Sequence, residues 1–471
     1  MVFSYLNVRQ CARIGFPLLG LLSISACTTP RGQVRGDLPA EATKISKVDW
    51  YFDGTRSLQG FVKDHEDTNF VYLTREIESA IHTLVPAAMV SLHRFGMQSE
   101  PFTSLQEAWR PRFYSSSEPQ FANTDLTSAI PNAIAKGSLT IVVTDLYPDE
   151  SNFEPFRGKL IKAGLGQTFD FGIVACKADF DGMIYDIPPK GGALRFSKPR
   201  PVYVLLLGPK DTIAAIVEEL QKRQSHIGAA LSAAVFSSTL GKFKVTDFGD
   251  PKNDESIQFK ASGFDPADGL IQGGKQNFAR QLRLSRSAKQ PKVTFEADVS
   301  LEPYEVAPAD GWHLEREVRM CTVNSTSLFE RVRNRKETND ASTSNLAECK
   351  AVGEDYEIVY PTTDEPPRFD RSQGKQHLVA PVTLDLGKRG DPSRDVRTRP
   401  GHIYIVKLKL SSNSTAVALP KWVSDFSQSR SVGFDGSRTT DLDPFLVTLG
   451  ESLLSAKQAV AMKLDIYIDS K

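Results

Sequence analysis

The sequence has little cysteine, no excess of charge of either sign and no apolar run long enough to span a bilayer. Five cysteines among 471 residues form no Cys-x-x-Cys pair and sit beside no histidine cluster, so a zinc or dithiol redox centre lacks ligands. The seven histidines are scattered singly. Lys plus Arg and Asp plus Glu both number 57, and the basic surface that meets nucleic-acid phosphate is therefore missing. The longest apolar stretch falls short of the roughly 20 residues of a spanning helix. No Gly-x-Ser-x-Gly elbow, P-loop or His-Glu-x-x-His occurs, which leaves acyl-transfer hydrolase, nucleotidase and zinc-protease chemistry without their motifs. No internal repeat is present. What remains is the composition of a folded globular chain, 40% hydrophobic and 24% charged, at a length that argues for two domains.

Arg9 and Arg13 precede the apolar run from Ile14 to Ile24, which ends at Ser25-Ala26-Cys27. A basic start, a short apolar core and small residues before a cut site make a secretory signal of residues 1–26. Ile24-Ser25-Ala26-Cys27 resembles the lipobox of bacterial lipoproteins. The resemblance implies that Cys27 is acylated and becomes the new N-terminus. Thr28, where an Asp would retain the protein at the inner membrane, implies an outer-membrane anchor facing the periplasm. Two or three acyl chains hold firmly where one binds only marginally. Residues 27–44 carry Pro30, Gly32, Gly36 and Pro39 without apolar period, a flexible tether with a reach of roughly 20–25 Å. Its Arg35-Gly36-Asp37 tripeptide is set aside as chance.

The remaining cysteines suit export. Cys176 lies in an apolar, strand-like run and is expected to be a small core residue. Cys321 and Cys349 stand in a polar region that an oxidising compartment allows to pair, a loop contributing on the order of 3–4 kcal/mol in the entropy treatment.

From residue 45 to about 225, strands and amphipathic helices alternate. Strands are expected at Val48–Asp53, Ala88–Phe95, Leu139–Thr144, Asp170–Cys176 and Val202–Leu207, with a hairpin arm at Met183–Ile187. Helical faces are marked by Val71, Ile77, Ile81 and Leu84; by Leu126, Ile130 and Ile134; by Phe156, Leu160 and Ile161; and by Ile213, Ile216, Val217 and Leu220. Such alternation implies an α/β doubly wound, Rossmann-like sheet with helices on both faces, Leu139–Thr144 being a central parallel strand. From 226 to 471 the alternation gives way to period-two strands near Ile257, Val293, Glu317, Tyr356, Leu378, His402 and Met462. One helix, Phe445–Ala461, interrupts them. This half is expected to be a β-rich, sandwich-like accessory domain, with loops at 330–350 and 385–400.

Three turns of the first half carry hydroxyls and carboxylates: Asp53-Gly-Thr55-Arg-Ser57, Asn123-Thr124-Asp125 and Thr144-Asp145. In this order the chain resembles a von Willebrand factor type A domain over about residues 45–225. That family's metal-ion-dependent adhesion site takes Asp-x-Ser-x-Ser, a Thr and an Asp from these loops. Carried over, the resemblance assigns metal ligation to Asp53, Thr55, Ser57, Thr124 and Asp145. It implies Mg²⁺, with Mn²⁺ or Ca²⁺ as substitutes, and a protein partner that offers an Asp or Glu to the ion. The chemistry is consistent. Mg²⁺ is a hard cation that takes six oxygens, and hydroxyls ligate it without neutralising it. The chain departs from the pattern at Thr55, where Ser is usual, and at Leu146, where Gly is commoner. The alternative is a degenerate, metal-free domain in a structural or assembly lipoprotein that binds through its β-rich half.

The dehalogenase-like phosphatase pattern Asp-x-Asp-Gly-Thr fails, because Tyr51 stands where the nucleophilic carboxylate would be. No enzymatic activity is expected. Asp179-Phe-Asp181-Gly182 lacks the further acidic ligands of a calcium loop and is a hairpin turn. Glu100–Phe121, with Phe102, Trp109, Phe113, Tyr114, Arg110 and Arg112, is either a satellite packing its aromatics inward or a recognition surface beside the metal.

Overall fold

A computed structural model describes residues 45–64, 66–114, 117–147, 153–185, 192–243, 257–262, 264–273, 277–284, 292–321, 368–370, 376–385, 402–432 and 434–470. The signal, the Cys27 anchor, the tether, Cys349 and the Tyr356 strand lie outside these residues. No helix among the described residues is long and apolar enough to cross a membrane.

The central element is a nine-stranded mixed sheet. Its strands are β1 (Lys47–Asp53), β2 (Met89–Phe95), β3 (Ser99–Pro101), β4 (Ser138–Thr144), β5 (Asp170–Ala178), β6 (Arg200–Gly208), β7 (Leu231–Phe236), β8 (Glu305–Pro308) and β9 (Val417–Ala418), in the order β9-β8-β7-β5-β6-β4-β1-β2-β3. Every residue of β4 and of β6 is buried, as their unbroken apolar runs require. Alternate residues feed two cores. Val142, Ile173 and Leu205 face one; Ile141, Val174 and Val204 face the other.

Helices cover both faces. On one face lie α1 (Asn69–Leu84) and α3 (Lys210–Lys222). Thr68 caps α1, accepting from the Val71 amide while donating to the Phe61 carbonyl at 2.6 Å. Val71, Ile77 and Ile81 pack inward, whereas Leu84 in the last turn is exposed. All four expected positions of α3 are buried. The opposite face carries α2 (Glu154–Ala163) and α4 (Leu442–Ala456). Phe156 and Leu160 of α2 face the sheet and Ile161 points outward.

The sheet differs from the expected doubly wound parallel arrangement. β1 runs parallel to β2 and β4, but β6 is inserted antiparallel between β4 and β5, and β7 is antiparallel to β5. Leu139–Thr144 thus has one parallel and one antiparallel neighbour. The cause lies in the β5–β6 connection. Among the described residues between Ala178 and Arg200 there is no helix, only the hairpin Gly182–Ile184 with Leu194–Phe196, and an antiparallel return needs no helical crossover.

The helix expected at Leu126, Ile130 and Ile134 is a correction. Only a short 3-10 turn, Leu126–Ala129, forms, because Pro131 disfavours helical geometry at Ile130. The three apolar side chains are nonetheless buried. The sheet also continues past residue 225, where the α/β region was expected to close. β7, β8 and β9 all come from the later sequence, and α4 joins the core of the α2 face. Phe445 of α4 stacks on Phe153 at 4.5 Å.

Ser427–Gln428 pairs with Thr439–Thr440 in a small two-stranded sheet, and the other described strands form two five-stranded sheets. One holds Lys242–Phe243, Ile257–Ser262, Lys292–Leu301, Arg368–Asp370 and Gln376–Asp385. The other holds Phe264–Gly273, Asn277–Leu284, Trp312–Cys321, His402–Ser412 and Ala459–Ser470. The expected helix of this half ends at Ala456, five residues early, and the last strand begins at Ala459. Cys321 ends its strand, and its pairing with Cys349 falls outside the described residues.

Cys176 is fully buried in the α1/α3 core, and burial pushes its thiol up to about 12. A thiolate-selective reagent at pH 8 should therefore leave Cys176 unmodified in the native protein and label it after denaturation. Rapid labelling of the folded chain at this position would contradict the packing.

Candidate metal centre at the strand ends

Parallel strands β1, β2 and β4 end at the same edge of the sheet, and the turns after them meet there. Gly54 donates its amide to the Phe95 carbonyl at 2.7 Å, tying the β1 turn to the end of β2. Asp125 and Met97 make backbone bonds that draw the Thr124 loop against Gly96. A side chain at Gly96 would sit 2.3 Å from the Gln120 carbonyl, so only glycine permits this approach. Gly54 is constrained likewise, since a Cβ there would strike Arg94.

Asp53, Thr55, Ser57 and Thr124 converge at this edge. Asp53 Oδ1 accepts from the Thr55 amide at 3.1 Å and from Thr55 Oγ1 at 2.7 Å. Thr55 Oγ1 lies 3.1 Å from Ser57 Oγ and 3.0 Å from Thr124 Oγ1. Thr124 Oγ1 reaches Asp53 Oδ2 at 3.2 Å. Asp53, Thr55 and Thr124 are buried, and Ser57 is half-buried. Thr55 points its hydroxyl into the group.

Asp145 follows β4 directly and is fully buried. The next residue, Leu146, has φ +49°, the left-handed region that favours glycine. The turn thus places a leucine in a conformation that strains it. Neither Asp145 oxygen has a hydrogen bond of ordinary geometry among the described residues. Arg200 Nη2 forms an ion pair with Asp145 Oδ2 at 3.1 Å.

Sequence reasoning missed three members of the site. Thr144 Oγ1 donates to Asp53 Oδ2 at 3.0 Å and accepts from the Leu146 amide at 3.1 Å. Arg94 donates to the Gly54 carbonyl at 3.2 Å and lies over the Phe121 ring at 3.6 Å. Arg200 sits near the rings of Tyr147 and Phe180. A buried arginine at a strand end signals a carboxylate partner, though not which one.

The carboxyls are strained electrostatically. Burial first, and then the charge of Asp145, hold the Asp53 carboxyl well above the usual carboxylate range, against opposing bonds from Thr55 and Thr144. Burial also raises Asp145, with Arg200 and the nearby Ser57 hydroxyl opposing. Neither the Arg200 charge at Asp145 nor the hydrogen bonds at Asp53 outweigh the burial of the two carboxyls.

The donor set fits a small divalent ion. An octahedral shell with oxygens near 2.1 Å spaces neighbouring ligands about 3.0 Å apart, and Thr55 Oγ1 lies 3.1 Å from Ser57 Oγ and 3.0 Å from Thr124 Oγ1. Among the described residues no group of three or more His, Cys, Asp or Glu side chains assembles a metal site; the cluster at this edge is built chiefly from hydroxyls.

The two other candidates resolve otherwise. Phe113 and Tyr114 are buried, Phe102 stacks edge-on with Phe52 and Phe113, and Tyr114 donates to the Ala108 carbonyl. Glu100–Phe121 packs its aromatics inward. Asp181 pairs with Arg195 at 2.7 Å beside the small hairpin. In comparisons with family models, with curated proteins and with solved structures, nothing matches the chain.

Proposed function

We propose that this chain is an outer-membrane-anchored periplasmic lipoprotein that binds a protein partner, without catalysis, through a Mg²⁺-dependent site in a von Willebrand factor type A-like domain. One observation carries the reading: at the strand ends Thr55 Oγ1 lies 2.7 Å from Asp53 Oδ1, 3.1 Å from Ser57 Oγ and 3.0 Å from Thr124 Oγ1, which is itself 3.2 Å from Asp53 Oδ2, with the buried Asp145 carboxylate directly after the adjoining strand. Asp53 and Asp145 would supply the charge, and Thr55, Ser57 and Thr124 the neutral oxygens. When bound, the ion supplies Lewis acidity toward a carboxylate of the partner. The edge is the usual ligand-binding edge of open α/β sheets.

Isothermal titration of the mature chain from Cys27 onward with Mg²⁺ tests this. The full chain is needed because β7, β8, β9 and α4 complete the sheet and its core. Saturable one-site heat is expected; its absence would sink the reading. The second reading, a metal-free domain in an assembly lipoprotein, has its own support in the Arg200–Asp145 pair, whose side chains are 4% and 0% exposed.

The anchor is tested apart. Cys27→Ser should end palmitate labelling and release the protein from outer membranes. An unlabelled, soluble wild type would refute the lipid anchor.

A further inference from the structure

We propose that Arg200 is the internal counter-cation of the metal centre: it holds Asp145 when no metal is bound, and it lowers metal affinity by competing for that carboxylate. The inference rests on the metal-binding reading above and concerns how the same site is regulated.

The topology supplies Arg200. In a wholly parallel sheet only carboxyl ends of strands reach this edge. β6 runs antiparallel between β4 and β5, so its first residue, Arg200, arrives there, while Asp145 directly follows the last residue of β4. The antiparallel insertion thus places a cation where a parallel sheet has none.

The contact is built for exchange rather than permanence. Nη2 stands 3.1 Å from Asp145 Oδ2, and among the described residues Arg200 Nη1 has no hydrogen-bond partner. A permanent buried Arg–carboxylate pair is normally bidentate, with its remaining donors satisfied. Here charge and the faces of Tyr147 and Phe180, 5.4 Å and 5.2 Å away, position the guanidinium. Its counterpart Arg94 is differently held. Arg94 also leaves Nε without a partner among the described residues, but it bonds the Gly54 carbonyl and stacks closely on Phe121, so it is part of the scaffold. The two arginines balance Asp53 and Asp145, and a divalent ion entering this group meets Arg200 as a like charge.

Removing one such charge at contact distance in a partly screened site should tighten metal binding by roughly 10–100-fold. The test is Mn²⁺ binding to the mature full chain, read as loss of the free-ion electron paramagnetic resonance signal. Arg200→Gln should bind Mn²⁺ at least about tenfold more tightly than wild type, and Arg200→Lys, which keeps the charge, should stay near wild type. In a double-mutant cycle the Arg200→Gln gain should shrink on an Asp145→Asn background, where only the repulsion between Arg200 and the ion is left to relieve. If Arg200→Gln fails to fold alone, Mn²⁺ added during refolding should restore soluble protein; no rescue overturns the proposal. Unchanged or weaker binding by a folded Arg200→Gln, with wild type still binding, also overturns it and leaves the metal reading intact. If neither wild type nor Arg200→Gln takes up Mn²⁺, the metal reading itself has failed.

Discussion

Asp53→Ala is expected to abolish Mg²⁺ binding while the far-ultraviolet circular dichroism of the chain stays that of the wild type. Asp53 is the hub of the site, accepting from the Thr55 amide and from the hydroxyls of Thr55, Thr124 and Thr144. Its loss removes a charged ligand and the acceptor that orders the neutral ones. Asp145→Ala should weaken binding strongly. Thr124→Val, which keeps the shape and loses one oxygen, should cost less. Asp53 lies at the strand ends and contributes no apolar contact to either core, so the sheet is expected to persist without it.

Asp53→Asn should go further and raise the melting temperature of the metal-free protein at neutral pH. The Asp53 pKa lies above its ordinary 3.8 in the folded state. The native state therefore holds a proton that the unfolded chain has released, and stability falls as pH rises from about 4 through the raised value. Asparagine keeps an acceptor oxygen and removes that penalty. A lower melting temperature in Asp53→Asn, measured with chelator, would contradict this account of the site's electrostatics.

Phe445→Ala should destabilise the whole α/β unit by about 3–5 kcal/mol, the usual cost of truncating a buried Phe. Phe445 is 4% exposed, stacks on Phe153 at 4.5 Å and packs against Phe156 at 5.8 Å. It sits nearly 300 residues after α2 in sequence yet fills the same core. Chemical denaturation followed by tryptophan fluorescence, with Trp50 buried in the opposite core, should report the loss in one transition. A Trp50 signal unchanged by Phe445→Ala would mean that α4 is an appendage rather than a part of this fold.

The position of α4 shows where the sequence was informative and where it was not. β1, β4, β5 and β6 announced themselves as apolar runs, because a strand covered on both faces has no polar side to interrupt it. Strand direction carries no such mark: Val202–Leu207 is equally apolar run either way. The missing helix between Ala178 and Arg200 was the signal for an antiparallel return. At Leu126 the helical spacing was real, but Pro131 ended the helix before it could form. The site was legible in its hydroxyls and carboxylates, which fall at strand ends in a fixed order. Thr144, Arg94 and Arg200 were not, since a threonine closing a strand or an arginine beginning one acquires its role only from the strands beside it. Leu146 was visible in sequence as a departure from the resembled pattern, and the structure gives that leucine a positive φ.

The most direct test of the account joins the metal to the partner. Envelope proteins captured by the tethered mature chain should be released by chelation and should be absent from an Asp53→Ala capture, with the same proteins lost in both. Restoring Mg²⁺ should bring them back to the wild type alone. A partner retained equally by wild type, chelated protein and Asp53→Ala would show that binding bypasses the strand-end site, and would move the search to the two five-stranded sheets.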